Sequence, residues 1–306
     1  VASLVRLNPY VDKVIEMPRK QWQKTGKSSK LQLLKEVVNF LKSLKMYDFD
    51  LVLDLHGFFK SALPVGMTKA PLRYGAADTG EGSSIFYNRL IKVPAEIEHK
   101  VDRYRYLAEQ ALGFQAAQVD FAIQTGAQAK AKVADLLARY ALTAKKFIVI
   151  NPYTTWESKD WVIERYGELA ERIKSDLGYE VVFTGGPDDR EGIGRMLGTL
   201  AESVHNLAGL TNLEELAELY GQATLFVGGD TGPMHLAVAM DLPVVAIMGP
   251  TNPQIYGPYG DRNVVVRLNN LACLNCWKRK CPTDHECMMK VTVEQVLQAI
   301  QQLLGI

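Results

Sequence analysis

The sequence predicts an α/β protein of two domains, each a doubly wound parallel sheet. Three observations carry that expectation. Short apolar runs without alternation recur through the second half: "FIVI" (147–150), "EVVFT" (180–184), "LFVG" (225–228), "PVVAIM" (243–248) and "VVV" (264–266). Such runs mark strands covered on both faces. Helical segments such as "VIERYGELAERIKSDLG" and "NLEELAELYG" separate them, and strand–helix alternation argues a sheet wound in both directions. Finally, 306 residues are long for one domain and comfortable for two of about 150 each.

The elements follow in order. The opening "VASLVRLNPYVDKVIEM" begins in the middle of a folded pattern, so we expect an N-terminal strand and loop of the first domain to precede it. "LQLLKEVVNFLKSLKM" (31–46) places apolar residues at 31, 34, 38 and 41, with others at 33, 37, 40 and 44, a broad helical stripe. "DLVLDL" (50–55) reads as a strand, and "HGFFKSAL" as a loop and helix at its carboxyl end. "PLRYGAADTGEGSS" (71–84) is Gly-rich and reads as an exposed loop. "HKVDRYRYLAEQALG" is a helix ended by Gly113. A connection and a further helix fill 114–142, and the domain boundary is placed after them, giving domains 1–143 and 144–306. "TVEQVLQAIQQLLG" closes the chain.

Composition excludes several classes. The 35 basic and 34 acidic residues leave a net charge of +1, so nucleic acid is not an expected partner and any basic site is local. No run of 18 apolar residues predicts a membrane span. No signal peptide is visible, and there are no internal repeats.

Ligands of a doubly wound sheet sit outside the carboxyl ends of its strands. In "LFVGGDTGPMHLAVAM", Pro233 suits a first helical turn, and Asp230, Thr231 and Gly232 supply capping residues before it. The free N–H groups and the positive end of the helix dipole then face the ligand edge, a phosphate site. Alone, Asp230 reads equally as an N-cap and His235 as a first-turn surface residue. A second turn, "NPYTTWESKDW", offers the Thr154 and Thr155 hydroxyls and the Lys159 ammonium. Two anion-binding turns on one edge point to a diphosphate. "GGPDDR" is a tight loop, and with no G-x-G-x-x-G in the chain a dinucleotide-dependent dehydrogenase is disfavoured.

Read together, "RLNPYVDKVI", "YDFDLVLDLHGFFKSAL", "NPYTTWESKDW", "GGDTGPMHLAVAMDLPVVAIMGPTNP" and "CLNCWKRKCPTDHECMMKVTVEQVL" resemble glycosyltransferase family 9, the ADP-heptose:lipopolysaccharide heptosyltransferases. The resemblance runs over nearly the whole chain, and Asp-Thr-Gly-x-x-His is its most specific motif. It implies a GT-B architecture, two Rossmann-like domains facing a cleft, and inverting transfer of heptose from ADP-heptose to the anionic inner core of lipopolysaccharide at a membrane surface. It implies a cytoplasmic or peripheral inner-membrane setting, no cofactor and no metal requirement. Asp230, Thr231, Gly232 and His235 would hold the diphosphate and sugar, with Thr154, Thr155 and Lys159 on the phosphates. Asp230, His235 and Lys159 would be the catalytic group, Lys159 offsetting charge on the leaving ADP. "GPTNP" would shape the opposite wall. Another nucleotide sugar or acceptor, or a non-catalytic nucleotide-diphosphate binder, are the alternative readings.

The base that deprotonates the acceptor hydroxyl lies, in the family, in a Gly-Asp loop expected upstream of Val1. Asp54 and His56 are the nearest residues of suitable type in this chain, although the matching position in relatives is a structural strand end. Lys60, Arg73 and Arg103 match positions where relatives place basic residues for the acceptor, and each reads equally as a solvated charge. Cys273, Cys276, Cys281 and Cys287 fall within 15 residues and are the chain's only cysteines. Their spacing matches no common finger, and a reducing compartment disfavours pairing. We expect structural thiols, with a four-thiolate metal site as the alternative.

Overall fold

The computed structural model describes residues 2–198, 200 and 204–306. Its elements are α1 (Ala2–Val5), α2 (Arg19–Ser28), α3 (Lys30–Ser43), β1 (Leu51–Asp54), α4 (Phe59–Thr68), β2 (Leu72–Ala76), β3 (Arg89–Ile91), α5 (Lys100–Leu112), α6 (Ala127–Arg139), β4 (Phe147–Asn151), α7 (Ile163–Leu177), β5 (Glu180–Phe183), α8 (Arg190–Leu197) and β6 (His205–Asn206). They continue with α9 (Leu213–Gln222), β7 (Leu225–Gly229), α10 (Gly232–Ala239), β8 (Val244–Ile247), α11 (Pro253–Tyr256), β9 (Asn263–Val266), α12 (Glu286–Met289) and α13 (Val293–Leu304). The chain divides into two compact units, Ile15–Val119 and Val1–Val14 with Asp120–Ile306.

The larger unit holds a six-stranded parallel sheet in the order β6-β5-β4-β7-β8-β9. Successive strand residues face opposite layers. Ile148, Ile150, Val181, Phe183, Leu225, Val227 and Val245 share one core with Leu169 and Ile173 of α7 and Val296 and Ile300 of α13. Phe147, Val149, Val182, Phe226, Val244 and Ala246 share the other with Val133 of α6, Leu219 of α9 and Met234 and Ala237 of α10. A rigid three-layer sandwich results, and chain order reverses between β4 and β7. Loops leaving those two neighbours diverge to opposite faces and leave a crevice between them.

The smaller unit carries a three-stranded parallel sheet, β1-β2-β3. Helix α5 packs Leu107 and Ala111 against strand residues Ala76 and Ile91, while Ala62 and Val65 of α4 join Tyr87 in a second cluster. The Tyr87 hydroxyl donates to Asp54 Oδ2 at 2.7 Å.

Two expectations need correction. The stretch 71–84 is not all loop: its first residues form β2, where Gly75 leaves room for the Tyr87 ring that a Cβ would strike. The boundary also moves from 143/144 to about 119/120. Helix α6 is amphipathic, and its apolar face, Val133 and Leu136, is buried with the larger unit. Lys145 adds ammonium hydrogen bonds to the carbonyls of Gly221 and Ala223.

Candidate functional site

At the switch point, close backbone approach comes first. A Cβ on Gly228 would lie 2.8 Å from the Asn151 carbonyl oxygen, and one on Gly229 would lie 2.9 Å from Thr154 Cγ2. The Gly-Gly pair at the end of β7 therefore lets the loop after β4 cross close to it. That loop is shaped by its own polar groups. Thr154 N donates to Asp160 Oδ1 at 2.9 Å, the Thr154 hydroxyl donates to the Trp156 carbonyl at 2.8 Å, and a short 3-10 turn at Glu157–Lys159 follows.

The turn delivers Lys159 to Asp230, Nζ to Oδ2 at 2.7 Å, with a second bond to the Asp230 carbonyl at 3.3 Å. Side-chain exposure is only 11% and 9%, so neither charge is screened as a surface pair would be. His235 Nε2 stands 3.7 Å from Asp230 Oδ1. Thr251, from "GPTNP", is buried near the same carboxylate. Burial is the largest single influence on the Asp230 carboxyl and opposes its ionisation. His235, Lys159 and Thr251 together outweigh it and hold the carboxyl below its ordinary range.

Helix α10 starts at this point. Thr231 caps it, its hydroxyl accepting from Met234 N at 3.3 Å, and Pro233 occupies the first turn. Gly232 is exposed, and a Cβ there would meet nothing within 4 Å, so the helix terminus opens to solvent. The structure thus brings together Lys159, Asp230, Thr231, Gly232 and His235 beside the 154–156 turn. Within that turn the two threonines differ. Thr154 uses its hydroxyl to hold the loop, while Thr155 is exposed.

Some neighbours gave no signal as separate residues. The Lys159 ammonium lies 4.5 Å from the Trp156 ring centroid and the Arg279 guanidinium 5.3 Å from it, with Trp277 edge-on at 5.7 Å. Contacts between positions more than a hundred residues apart follow no sequence period.

The residues predicted as base and acceptor contacts lie in the smaller unit. Asp54 accepts from His56 N at 2.8 Å and Gly57 N at 3.1 Å through Oδ1 and from Tyr87 through Oδ2. Both oxygens are engaged in holding the strand end. His56 packs on Phe58 at 4.7 Å. Arg73 donates to the carbonyls of Ala70 and Phe86 at 2.6 and 3.1 Å. Arg103 is paired with Asp78, whose carboxyl it holds low against the opposing effect of burial. Lys60 is exposed, its ammonium 5.5 Å from the Phe58 ring centroid.

The profile of glycosyltransferase family 9 (heptosyltransferase) matches residues 37–286. The chain belongs to glycosyltransferase family 9. Lipopolysaccharide heptosyltransferase 1 of Pseudomonas aeruginosa is 32% identical over 298 residues, 93% of this chain and 78% of that protein. The Escherichia coli protein of the same name is 29% identical over 272 residues, 87% of this chain and 81% of that one. The solved structure of E. coli heptosyltransferase WaaC with ADP is 26% identical, with a TM-score of 0.77 over 99% of this chain and 87% of that one. The architecture is GT-B, as the sequence predicts.

Removing one partner of a buried ion pair strands the other, at a cost of about 3–5 kcal/mol. Lys159→Ala should lose stability on that scale, and Thr155→Ala less than about 0.5 kcal/mol, as read by denaturant unfolding. Because the folded Asp230 carboxyl is held low, its contribution is present above its unfolded value and lost as pH falls through the lower folded one. Acid unfolding of Asp230→Asn should therefore lack a component that the parent shows below about pH 4. Parallel acid profiles would contradict this assignment.

Proposed function

We propose that the chain is an inverting glycosyltransferase that moves a heptose from ADP-heptose to the inner core of lipopolysaccharide. The observation that carries this reading is the convergence of Lys159, the Thr155 turn and the open N-terminus of α10 at one switch point. E. coli WaaC, which shares this fold, has been solved with ADP and with ADP-2-deoxy-2-fluoro heptose.

The acceptor hydroxyl attacks the anomeric carbon as its bond to the β-phosphate oxygen of ADP breaks. Negative charge grows on that leaving oxygen. Lys159 and the helix dipole stand preorganised for it and serve where a cation otherwise would. Asp230 keeps Lys159 in place and accepts hydrogen bonds from sugar hydroxyls, and His235, half exposed at the rim, reaches the phosphates. The hydroxyl proton passes to a general base. Asp54 does not suit that role, since its two oxygens are occupied. On the smaller unit, the exposed Lys60 is the candidate cation for the anionic acceptor, and Arg103 would have to exchange Asp78 for it.

Work at a membrane surface is supported by α2 and α3. Residues 19–45 contain eight Lys and Arg against one Glu. On α3, Leu31, Leu34 and Val38 are 80%, 60% and 37% exposed. Their i, i+3, i+7 spacing puts them on one face, with Lys35 and Lys42 beside them, the arrangement of a helix lying in a bilayer interface. No helix among the described residues is long and apolar enough to cross a membrane.

Calorimetric titration with ADP, UDP, GDP and NAD, with and without magnesium, tests the donor assignment. ADP should bind preferentially and without magnesium, and incubation of ADP-heptose with a heptose-free core acceptor should yield the heptosylated product. Failure to bind ADP would overturn the reading. Cosedimentation with vesicles tests the surface assignment. Anionic vesicles should retain the protein, and at about 1 kcal/mol per basic residue near the surface, K35Q/K42Q should weaken retention roughly thirtyfold. Equal retention of both proteins would remove α3 from the contact.

A further inference from the structure

Between the end of β9 at Val266 and the start of α12 at Glu286 the chain runs through 19 residues, 267–285, with turns but no helix or strand. Loops of that length without secondary structure are uncommon inside a compact domain, and those that occur are mostly functional or linker segments. Asn275, Trp277 and His285 also take left-handed backbone conformations, with φ of 60°, 56° and 54°, which cost non-glycine residues energy. Leu268, Leu271 and Leu274 pack against the core of the larger unit, while 275–285 is exposed or half-buried throughout.

The loop does bring its four thiols together. Cys273, Cys276, Cys281 and Cys287 all line one cavity of about 50 Å³, far too small for a sugar nucleotide. Cys287 is buried, and a Cβ on Gly249 would come within 2.7 Å of its Sγ, so glycine is needed there for the thiol to reach the cavity. Lys278 and Glu286 line the cavity, and Arg279 and Lys280 follow Lys278 in the chain. His285 also lines the cavity, but its Nε2 is engaged by the Ser158 carbonyl at 2.7 Å.

We propose that Cys273, Cys276, Cys281 and Cys287 bind one thiophilic divalent metal ion as a four-thiolate site. Four thiols and one M²⁺ give a tetrahedral M(S-Cys)₄ centre with release of four protons and no electron transfer, the coordination that suits zinc or ferrous iron. Cys-x₂-Cys supplies a chelating pair, and Cys281 and Cys287 close the set. Among the described residues no three metal-binding side chains stand at coordination distance of a common point, so binding draws the sulfurs inward over the cavity. The loop is tied to the turn that carries Lys159 by His285, by the bond from the Ser158 hydroxyl to the Lys278 carbonyl at 2.6 Å, and by Trp277 against Trp156. The ion would thus order the second wall of that turn, a consequence that rests on the function proposed above, whereas metal binding itself does not.

Elemental analysis of the full chain, purified without chelator, should find one equivalent of zinc or iron. After chelation, addition of Co²⁺ should give the visible absorption and sulfur-to-metal charge transfer of a tetrahedral thiolate site, with four thiols becoming unreactive to a thiol reagent. Cys273→Ser, at an exposed position, and Cys276→Ser should each lose that spectrum while retaining their far-UV circular dichroism. Should either variant unfold, the Co²⁺ spectrum and stoichiometry of the parent chain decide alone. Metal-free protein whose Co²⁺ complex lacks thiolate bands, or four cysteines found as two disulfides, would overturn the proposal, whatever the outcome of the ADP titration.

Discussion

The salt bridge between Lys159 and Asp230 is the contact on which the rest of the site depends. It joins two loops that begin on adjacent strands and leave toward opposite faces of the sheet. Without it, two turns would face each other as separate caps. With it, an ammonium, a carboxylate and a helix terminus share one small volume. The pair forms only because Gly228 and Gly229 leave no side chains where the incoming loop crosses. A backbone constraint thus precedes the electrostatic one.

Burying both charges is expensive, and a pair so placed is weak evidence for stability. Its value lies in preorganisation. Lys159 is held by an anion that stays ionised to low pH, on a turn closed by Thr154 and flanked by Trp156. In the proposed function, a diphosphate arriving at α10 would meet a cation already in position and need not order a flexible side chain. The β-sheet behind it is filled by interlocking apolar layers, which keeps the two loops at a fixed separation.

Much of this was legible in the sequence because the signals are local. Strands β4, β5, β7 and β8 are apolar runs that need no partner to be recognised, and the start of α10 is written in Thr231 and Pro233. Strand β2 was not legible, because Arg73, Gly75 and the following Gly-rich residues have turn composition, and only pairing with β1 makes them a strand. The same holds for the two-residue β6 and for α2, whose "RKQWQKTGKS" has no apolar stripe. Helix α6 was recognised, but its allegiance was not, since which core receives an amphipathic face is a tertiary matter. The residues that converge at the switch point could be named from motif spacing. That Thr154 closes its turn while Thr155 is exposed, and that Arg73 is bonded to Ala70 and Phe86, follows only from geometry.

A crystal structure of the chain with ADP tests the central claim most directly. The account predicts diphosphate oxygens within hydrogen-bond distance of Lys159 Nζ and of the Gly232 N–H, with Asp230 still holding the ammonium from its other side. A diphosphate bound elsewhere on the sheet edge, or one that leaves Lys159 in contact with Asp230 alone, would contradict it.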